Sequence, residues 1–151
     1  MRVVVQRVKH SSVTINNEIK SAIGKGLMIL VGIGEDDTQE DIDYIVKKVV
    51  NLRVFDDAEG IMNLSVQDIK GDILLVSQFT LMASTKKGNR PSYIRAARPE
   101  ISVPIYETLI KAFETTLDRE IRTGEFGADM KIGLLNDGPV TIIIDSKQKD
   151  Y

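Results

Sequence analysis

The segment Asn136-Asp137-Gly138-Pro139-Val140-Thr141 breaks a strand-forming stretch with a Gly-Pro pair. Residues 132–135 lead into it and residues 140–144 lead out, both runs aliphatic and extended in character. Glycine lets the backbone approach another group closely, and proline removes a donor and fixes φ. A regular ladder therefore stops at this pair, and its carbonyls stay available as acceptors. A second segment, Ser77-Gln78-Phe79-Thr80-Leu81, puts unusual polarity at the end of an apolar strand. The two segments point to a site that works through backbone groups rather than through a charged catalytic set.

The rest of the chain supplies the frame. Val3, Val4, Val5 and Val8 mark a β-branched strand over residues 2–8. Val13-Thr14-Ile15, Asn16-Asn17 and Glu18-Ile19 read as a hairpin, because asparagine tolerates the positive φ its turn needs. Residues 27–33 form a continuous apolar run bounded by Gly26 and Gly34, which reads as a buried strand. The period then changes. Ile42, Ile45, Val46, Val49 and Val50 recur at helical spacing over residues 38–51, with Asp37 or Thr38 as cap. Val54-Phe55 reads as a short strand, and residues 73–76 as another buried one leading into Ser77-Gln78. Residues 82–98 read as irregular. The longest helix is expected after Pro99, with Tyr106, Leu109, Ile110, Phe113, Leu117 and Ile121 on one face and Gly124 ending it. This order predicts an α+β fold: a mostly antiparallel sheet or open β-barrel with two packed helices.

A length of 151 residues fits a single domain spanning 1–151. A net charge of −2 argues against a wholly basic nucleic-acid coat but leaves room for a local basic patch. The absence of cysteine excludes disulfides and thiolate zinc sites. The first ten residues carry charges through their apolar stretch and do not read as a signal peptide, and no run of about 18 apolar residues suggests a membrane span. A cytoplasmic address is the default expectation.

Several motifs have ordinary explanations. His10, the only histidine, stands beside Ser11 and Ser12. Neighbours in a strand point to opposite faces, so adjacency does not assemble a triad, and His10 reads as a surface or sheet residue. Gly32-Ile33-Gly34-Glu35 lacks the third glycine of a dinucleotide fingerprint and is followed by acids. Asp56-Asp57-Ala58-Glu59-Gly60 lacks the alternating ligands of a calcium loop and reads as an exposed turn. Residues 85–98 hold Lys86, Lys87, Arg90, Arg95 and Arg98 and no acid, so they suit phosphate, and Tyr93 is placed to stack on a base. A solvated loop facing acids of the last helix is the plainer alternative. Residues 77–80 offer hydroxyls, an amide and main-chain N–H groups but no base for a hydroxyl nucleophile. A hydrolytic site there would work by an oxyanion hole and positioning, with the proton acceptor coming from substrate or water. The plainer alternative is a strand end whose polar groups cap the sheet.

Taken in order, four segments resemble the D-aminoacyl-tRNA deacylase family: the opening Met1-Arg2-Val3-Val4-Val5-Gln6-Arg7-Val8, Ser77-Gln78-Phe79-Thr80-Leu81, Gly88-Asn89-Arg90-Pro91-Ser92-Tyr93, and Asn136-Asp137-Gly138-Pro139-Val140-Thr141. Tyr93 stands where phenylalanine is common, which keeps the ring. The resemblance implies a homodimeric hydrolase of the ester between a D-amino acid and the terminal adenosine of tRNA, active also on misattached glycine. It implies that Ser77, Gln78, Phe79 and Thr80 form the catalytic pocket floor, with the Phe79 N–H near the ester carbonyl. Gly138 and Pro139, joined by a cis bond, would enter the partner subunit's pocket and hold the substrate's α-amino group, braced by Arg7. Lys86, Lys87, Arg90 and Tyr93 are the expected RNA contacts. No cofactor, metal, membrane or DNA partner is expected. Thr80 has been cast in the family as a nucleophile; without a base beside it, attack by water assisted by the ribose 2′-hydroxyl is the favoured expectation. Two alternatives remain at this point: a non-enzymatic dimeric RNA-binding module, and a hydrolase of other small esters with Thr80 as nucleophile.

Overall fold

Strand β1 (Arg2–Ile15) organises the molecule. In the computed structural model, which describes residues 1–150, one edge of β1 pairs along its length with β8 (Lys131–Asp145). Its other edge is shared. Residues 11–15 pair with β2 (Glu18–Ile23), and residues 2–8 pair with β3 (Gly26–Gly32). All three pairings are antiparallel. The β1–β2 turn is the expected one, with Asn16 and Asn17 at φ of 50° and 64°.

The remaining pairings are parallel. Strand β6 (Asp72–Ser77) lies parallel to β3, and β7 (Arg122–Thr123) parallel to β6. The sheet is therefore mixed: antiparallel pairing predominates, as expected, and the parallel strands β6 and β7 are the addition. The reason lies between β3 and β6. The chain there builds α1 (Gln39–Val50) and a small hairpin of β4 (Phe55–Asp56) and β5 (Met62–Leu64), a connection long enough to return the chain in the same direction. Both parallel strands are buried on both faces, which explains their unbroken apolar runs. The sheet is nearly closed: β2 and β7 approach each other at its ends, where Ser21 Oγ donates to Thr123 O at 2.7 Å.

Helix α1 and the longer α2 (Pro99–Leu117) share the core on one face of the sheet. Ile42, Ile45, Val46 and Val49 of α1 and Tyr106, Leu109 and Phe113 of α2 join Val3, Val5, Ile29 and Leu75 there. The inner face of the curl holds a second cluster that includes Val8, Val13, Met28, Leu74 and Val76. Helix α2 ends earlier than its apolar period suggests. Asp118 takes the left-handed conformation at φ 53° and closes the helix, since a short polar side chain tolerates that conformation. Ile121 still reaches the core, from the connection to β7 rather than from the helix, and Gly124 plays no part in the cap.

Residues 132–135 and 140–144 also differ from expectation. They do not form separate strands around a loop. Both halves of β8 pair with β1, and the Gly-Pro segment is a bulge in one long strand.

Candidate active site

The parallel pair ends in a cleft. Ser77 is the last residue of β6, and Gln78 N extends the ladder to Val31 O at 2.7 Å. The chain then turns into a one-turn 3₁₀ helix (Phe79–Met82). The first bond of that turn runs from Leu81 N to Gln78 O at 3.2 Å. The N–H groups of Phe79 and Thr80 precede it and have no acceptor inside the turn. Thr80 is tied to its neighbour, because Gln78 Nε2 donates to Thr80 Oγ1. The cleft has a volume of about 510 Å³, and Ser77, Gln78 and Phe79 lie on its wall beside Val31, Ala97 and Phe126. Its charged lining residue, Asp129, is paired with Lys131 Nζ at 2.8 Å.

The Gly-Pro bulge is built differently. Four residues of β8, 137–140, stand opposite the single residue Arg7 of β1. The Gly138-Pro139 bond is cis, as the resemblance implies. Arg7 is buried, at 9% exposure, and its Nε donates to Asp137 O at 2.7 Å. The same guanidinium donates to Val54 O and lies 3.4 Å from the Asp56 carboxylate. Gly138 has φ of 143°, and a Cβ there would lie 2.8 Å from the Val140 side chain and 3.1 Å from the guanidinium. The bulge itself is exposed. Neither Gly138 nor Pro139 lines the cleft of its own chain.

The basic loop stands at the cleft's lip. Ser84 and Ser92 exchange backbone bonds of 2.8 and 2.9 Å, which close a loop carrying exposed Lys86, Lys87 and Arg90. Tyr93 meets Phe79 edge to face, with ring centroids 5.0 Å apart at 71°. Both rings remain accessible, Phe79 at 56% and Tyr93 at 40%.

The sequence profile of the family described as D-Tyr-tRNA(Tyr) deacylase matches residues 4–145. The chain belongs to this family. A D-aminoacyl-tRNA deacylase of Bacteroides fragilis (strain YCH46) is 65% identical over 150 residues, covering 99% of this chain and 100% of that protein. One of Flavobacterium johnsoniae is 56% identical over the same shares. Among solved structures, a c-Myc DNA unwinding element binding protein superposes with a TM-score of 0.91 at 42% identity, covering 96% of this chain and 98% of its own. A probable eukaryotic D-amino acid tRNA deacylase shares the fold, with a TM-score of 0.82 at 17% identity over 95% and 97% of the two chains. The family resemblance read from the four motifs is borne out, and with it the assignment to ester hydrolases.

Within this family member, the motif residues fall into three groups. Ser77, Gln78 and Phe79 share the cleft, and Thr80 follows them in the 3₁₀ turn. Lys86, Lys87, Arg90 and Tyr93 belong to the lip, with Tyr93 joined to Phe79. Arg7, Gly138 and Pro139 form the third group on the β1–β8 edge. His10 is exposed on β1, and residues 57–60 form a turn closed by the Asp57 carboxylate, as their ordinary readings predict. Sequence reasoning missed the wall contributed by residues 126–130, which no periodicity marks. It included Asn136 in a motif but gave it no role; the Asn136 side chain bonds Val140 on both its N–H and its C=O.

A strongly perturbed carboxylate lies away from the cleft. Burial alone would raise the Asp41 pKa, but hydrogen bonds from Ser146, Lys147 and the Thr38 N–H hold it well below the usual carboxylate range. The same cluster contains the Met1 ammonium, which bonds Asp37 and Ser146. Asp37 in turn accepts from Gly34 N at 2.8 Å, next to the cleft residue Ile33. Among the described residues no helix is long and apolar enough to cross a membrane.

Proposed function

We propose that this chain hydrolyses the ester of D-aminoacyl-tRNA, and of misattached glycyl-tRNA, in a site composed from two protomers of a homodimer. One observation carries this reading. The cleft floored by residues 77–79 lacks the Gly-Pro bulge of its own chain, while that bulge is exposed and firmly braced. An isologous two-fold pairing would set each bulge against the other's cleft and make two equal sites.

The chemistry follows from the groups present. Carbonyls of residues 138 and 139 grip the α-ammonium of the aminoacyl group. The Phe79 N–H, free at the start of its turn, faces the ester carbonyl and stabilises the oxyanion. The water oxygen adds to the carbonyl carbon. The bond to the ribose 3′-oxygen then breaks, and the proton from water reaches that oxygen through the neighbouring 2′-hydroxyl. Thr80, held by Gln78, positions rather than attacks, since no base accompanies it. With ammonium and ester both held, an L side chain is driven into the wall, whereas a D side chain points outward and glycine meets nothing. Rejection by clash does not read side-chain identity, so many D-amino acids pass.

Lys86, Lys87 and Arg90 contact tRNA phosphates, and Tyr93 offers a ring to a base. A cytoplasmic address suits a tRNA substrate. The structural neighbour named for DNA binding gives a second reading of the loop, since phosphate contacts do not distinguish RNA from DNA. Competition of tRNA against single-stranded DNA of equal length separates the two. The test of the activity is ester loss from D- and L-tyrosyl-tRNA incubated in parallel with the protein. Rapid loss from the D-ester and persistence of the L-ester support the reading; equal stability of both rejects it.

A further inference from the structure

We propose that Asn136 is the positioning residue that aims the Gly138-Pro139 bulge, its carboxamide standing in for a peptide unit that β1 does not supply. The inference rests on the deacylase reading above and adds a residue to its machinery. Between the pairs Gln6–Thr141 and Val8–Asn136, Arg7 is the single residue that β1 offers against residues 137–140. One residue cannot pair with four. Val140, with its N–H and C=O, lies in the stretch that β1 leaves unpaired.

The Asn136 side chain satisfies both. Val140 N donates to Asn136 Oδ1 at 2.8 Å, and Asn136 Nδ2 donates to Val140 O at 3.1 Å. The second Nδ2 proton is directed to Thr141 Oγ1 at 3.2 Å. A primary carboxamide is the side-chain group that carries an acceptor and two donors in one plane, as this triple contact requires. Aspartate has the acceptor alone, and alanine has neither. Asn136 therefore closes the bulge at its base on the Val140 side. Arg7 closes it on the Asp137 side through the bond to Asp137 O. Gly138 and Pro139 are left between two clamps, and the direction of their carbonyls follows from where the clamps sit.

Stereochemical rejection depends on that direction more than binding does. A displacement near 1 Å at a positioned group costs about 100-fold in rate. A loosened bulge would hold the ammonium less well and would also let an L side chain escape the wall. The two effects together lower the ratio of D- to L-ester hydrolysis, which a loss of fold stability alone does not do.

The experiment measures kcat/KM for D- and L-tyrosyl-tRNA together with melting temperature. It compares the intact protein, Asn136→Ala, Asn136→Asp and Asn51→Ala. Asn51→Ala removes a comparable side-chain bond, to Lys47 O at the end of α1, far along the chain from the bulge. The expected result is a D-to-L ratio at least tenfold lower in Asn136→Ala, a smaller fall in Asn136→Asp, which keeps the acceptor for Val140 N–H, and no change in Asn51→Ala. If Asn136→Ala does not fold, Asn136→Asp carries the comparison. An unchanged ratio in folded Asn136 variants, with the intact protein discriminating normally, overturns the role of Asn136 while leaving the functional reading in place. Failure of the intact protein to prefer the D-ester overturns the functional reading and this inference with it.

Discussion

The two halves of the proposed site are held by opposite means. The cleft sits at the ends of β3 and β6, strands buried on both faces, so its floor is an extension of the apolar core. The bulge sits on β8, whose residues are mostly exposed or half-buried, and it is held by polar side chains: Arg7 on one flank and Asn136 on the other. Apolar packing is tolerant of volume-conserving changes. A hydrogen-bonded clamp is not, because removing one partner strands the other. The cleft should therefore resist mild substitution, and the bulge should not.

The largest effect is expected where the bulge is tightest. Gly138→Val adds a Cβ in a positive-φ conformation, within 3.1 Å of both the Val140 side chain and the guanidinium. Deacylation of D-tyrosyl-tRNA should fall at least 100-fold, about 2.7 kcal/mol of transition-state stabilisation, in single-turnover assays. Activity near that of the intact protein would erase the contrast between bulge and cleft. The lip should give an intermediate effect. Lys86, Lys87 and Arg90 changed together to Ala should lower the salt slope of tRNA binding by about two to three, given about 0.7–0.9 for each phosphate contact. An unchanged slope would mark these residues as solvated surface.

A stability prediction separates the site from the frame. Asp41→Asn should cost about 1.5–3 kcal/mol in denaturant unfolding, because it removes charge-assisted bonds from Ser146 and Lys147 at a buried position. The sign with pH follows from the lowered Asp41 pKa. Its stabilisation is fully present above the ordinary carboxylate value of about 3.9 and is lost as pH falls from there toward the folded value. Asp41→Asn should therefore flatten the acid limb of the stability profile. The smallest effect is expected at Thr80. Thr80→Ala should reduce the rate less than about tenfold, consistent with a positioning role, whereas a 2′-deoxy terminal adenosine should be hydrolysed poorly. A dead Thr80→Ala with normal turnover of the 2′-deoxy substrate would make Thr80 the nucleophile.

The same contrast explains what could be read from the chain. Core elements announce themselves through local pattern: the β-branched run of β1, the Asn16-Asn17 turn, and the 3.6 period of α1 ending beside Asn51. The direction of β6 did not, because a continuous apolar run says that a strand is buried and not which way its neighbour points. The end of α2 was hidden because Ile121 keeps the apolar spacing after Asp118 has broken the helix. At the site, residues 77–80 and 138–139 stand out as polarity and punctuation in apolar surroundings. Asn136 stands in the same segment, but its polarity alone does not mark it as a clamp. Its role exists only because β1 supplies one residue where β8 supplies four, a fact of register rather than of composition.

Subunit mixing tests the composite site most directly. One variant, Ala128→Trp, fills the cleft on whose wall Ala128 lies; the other, Gly138→Val, disables the bulge. Each alone should be inactive as a homodimer. After unfolding and refolding of an equimolar mixture, about half the dimers should be hybrids, each with one site intact and one site carrying both lesions. The account predicts recovery of about a quarter of the activity of the intact protein toward D-tyrosyl-tRNA, since half the dimers regain one of two sites. No recovery from folded hybrid dimers would show that cleft and bulge act within one chain, and would contradict the account.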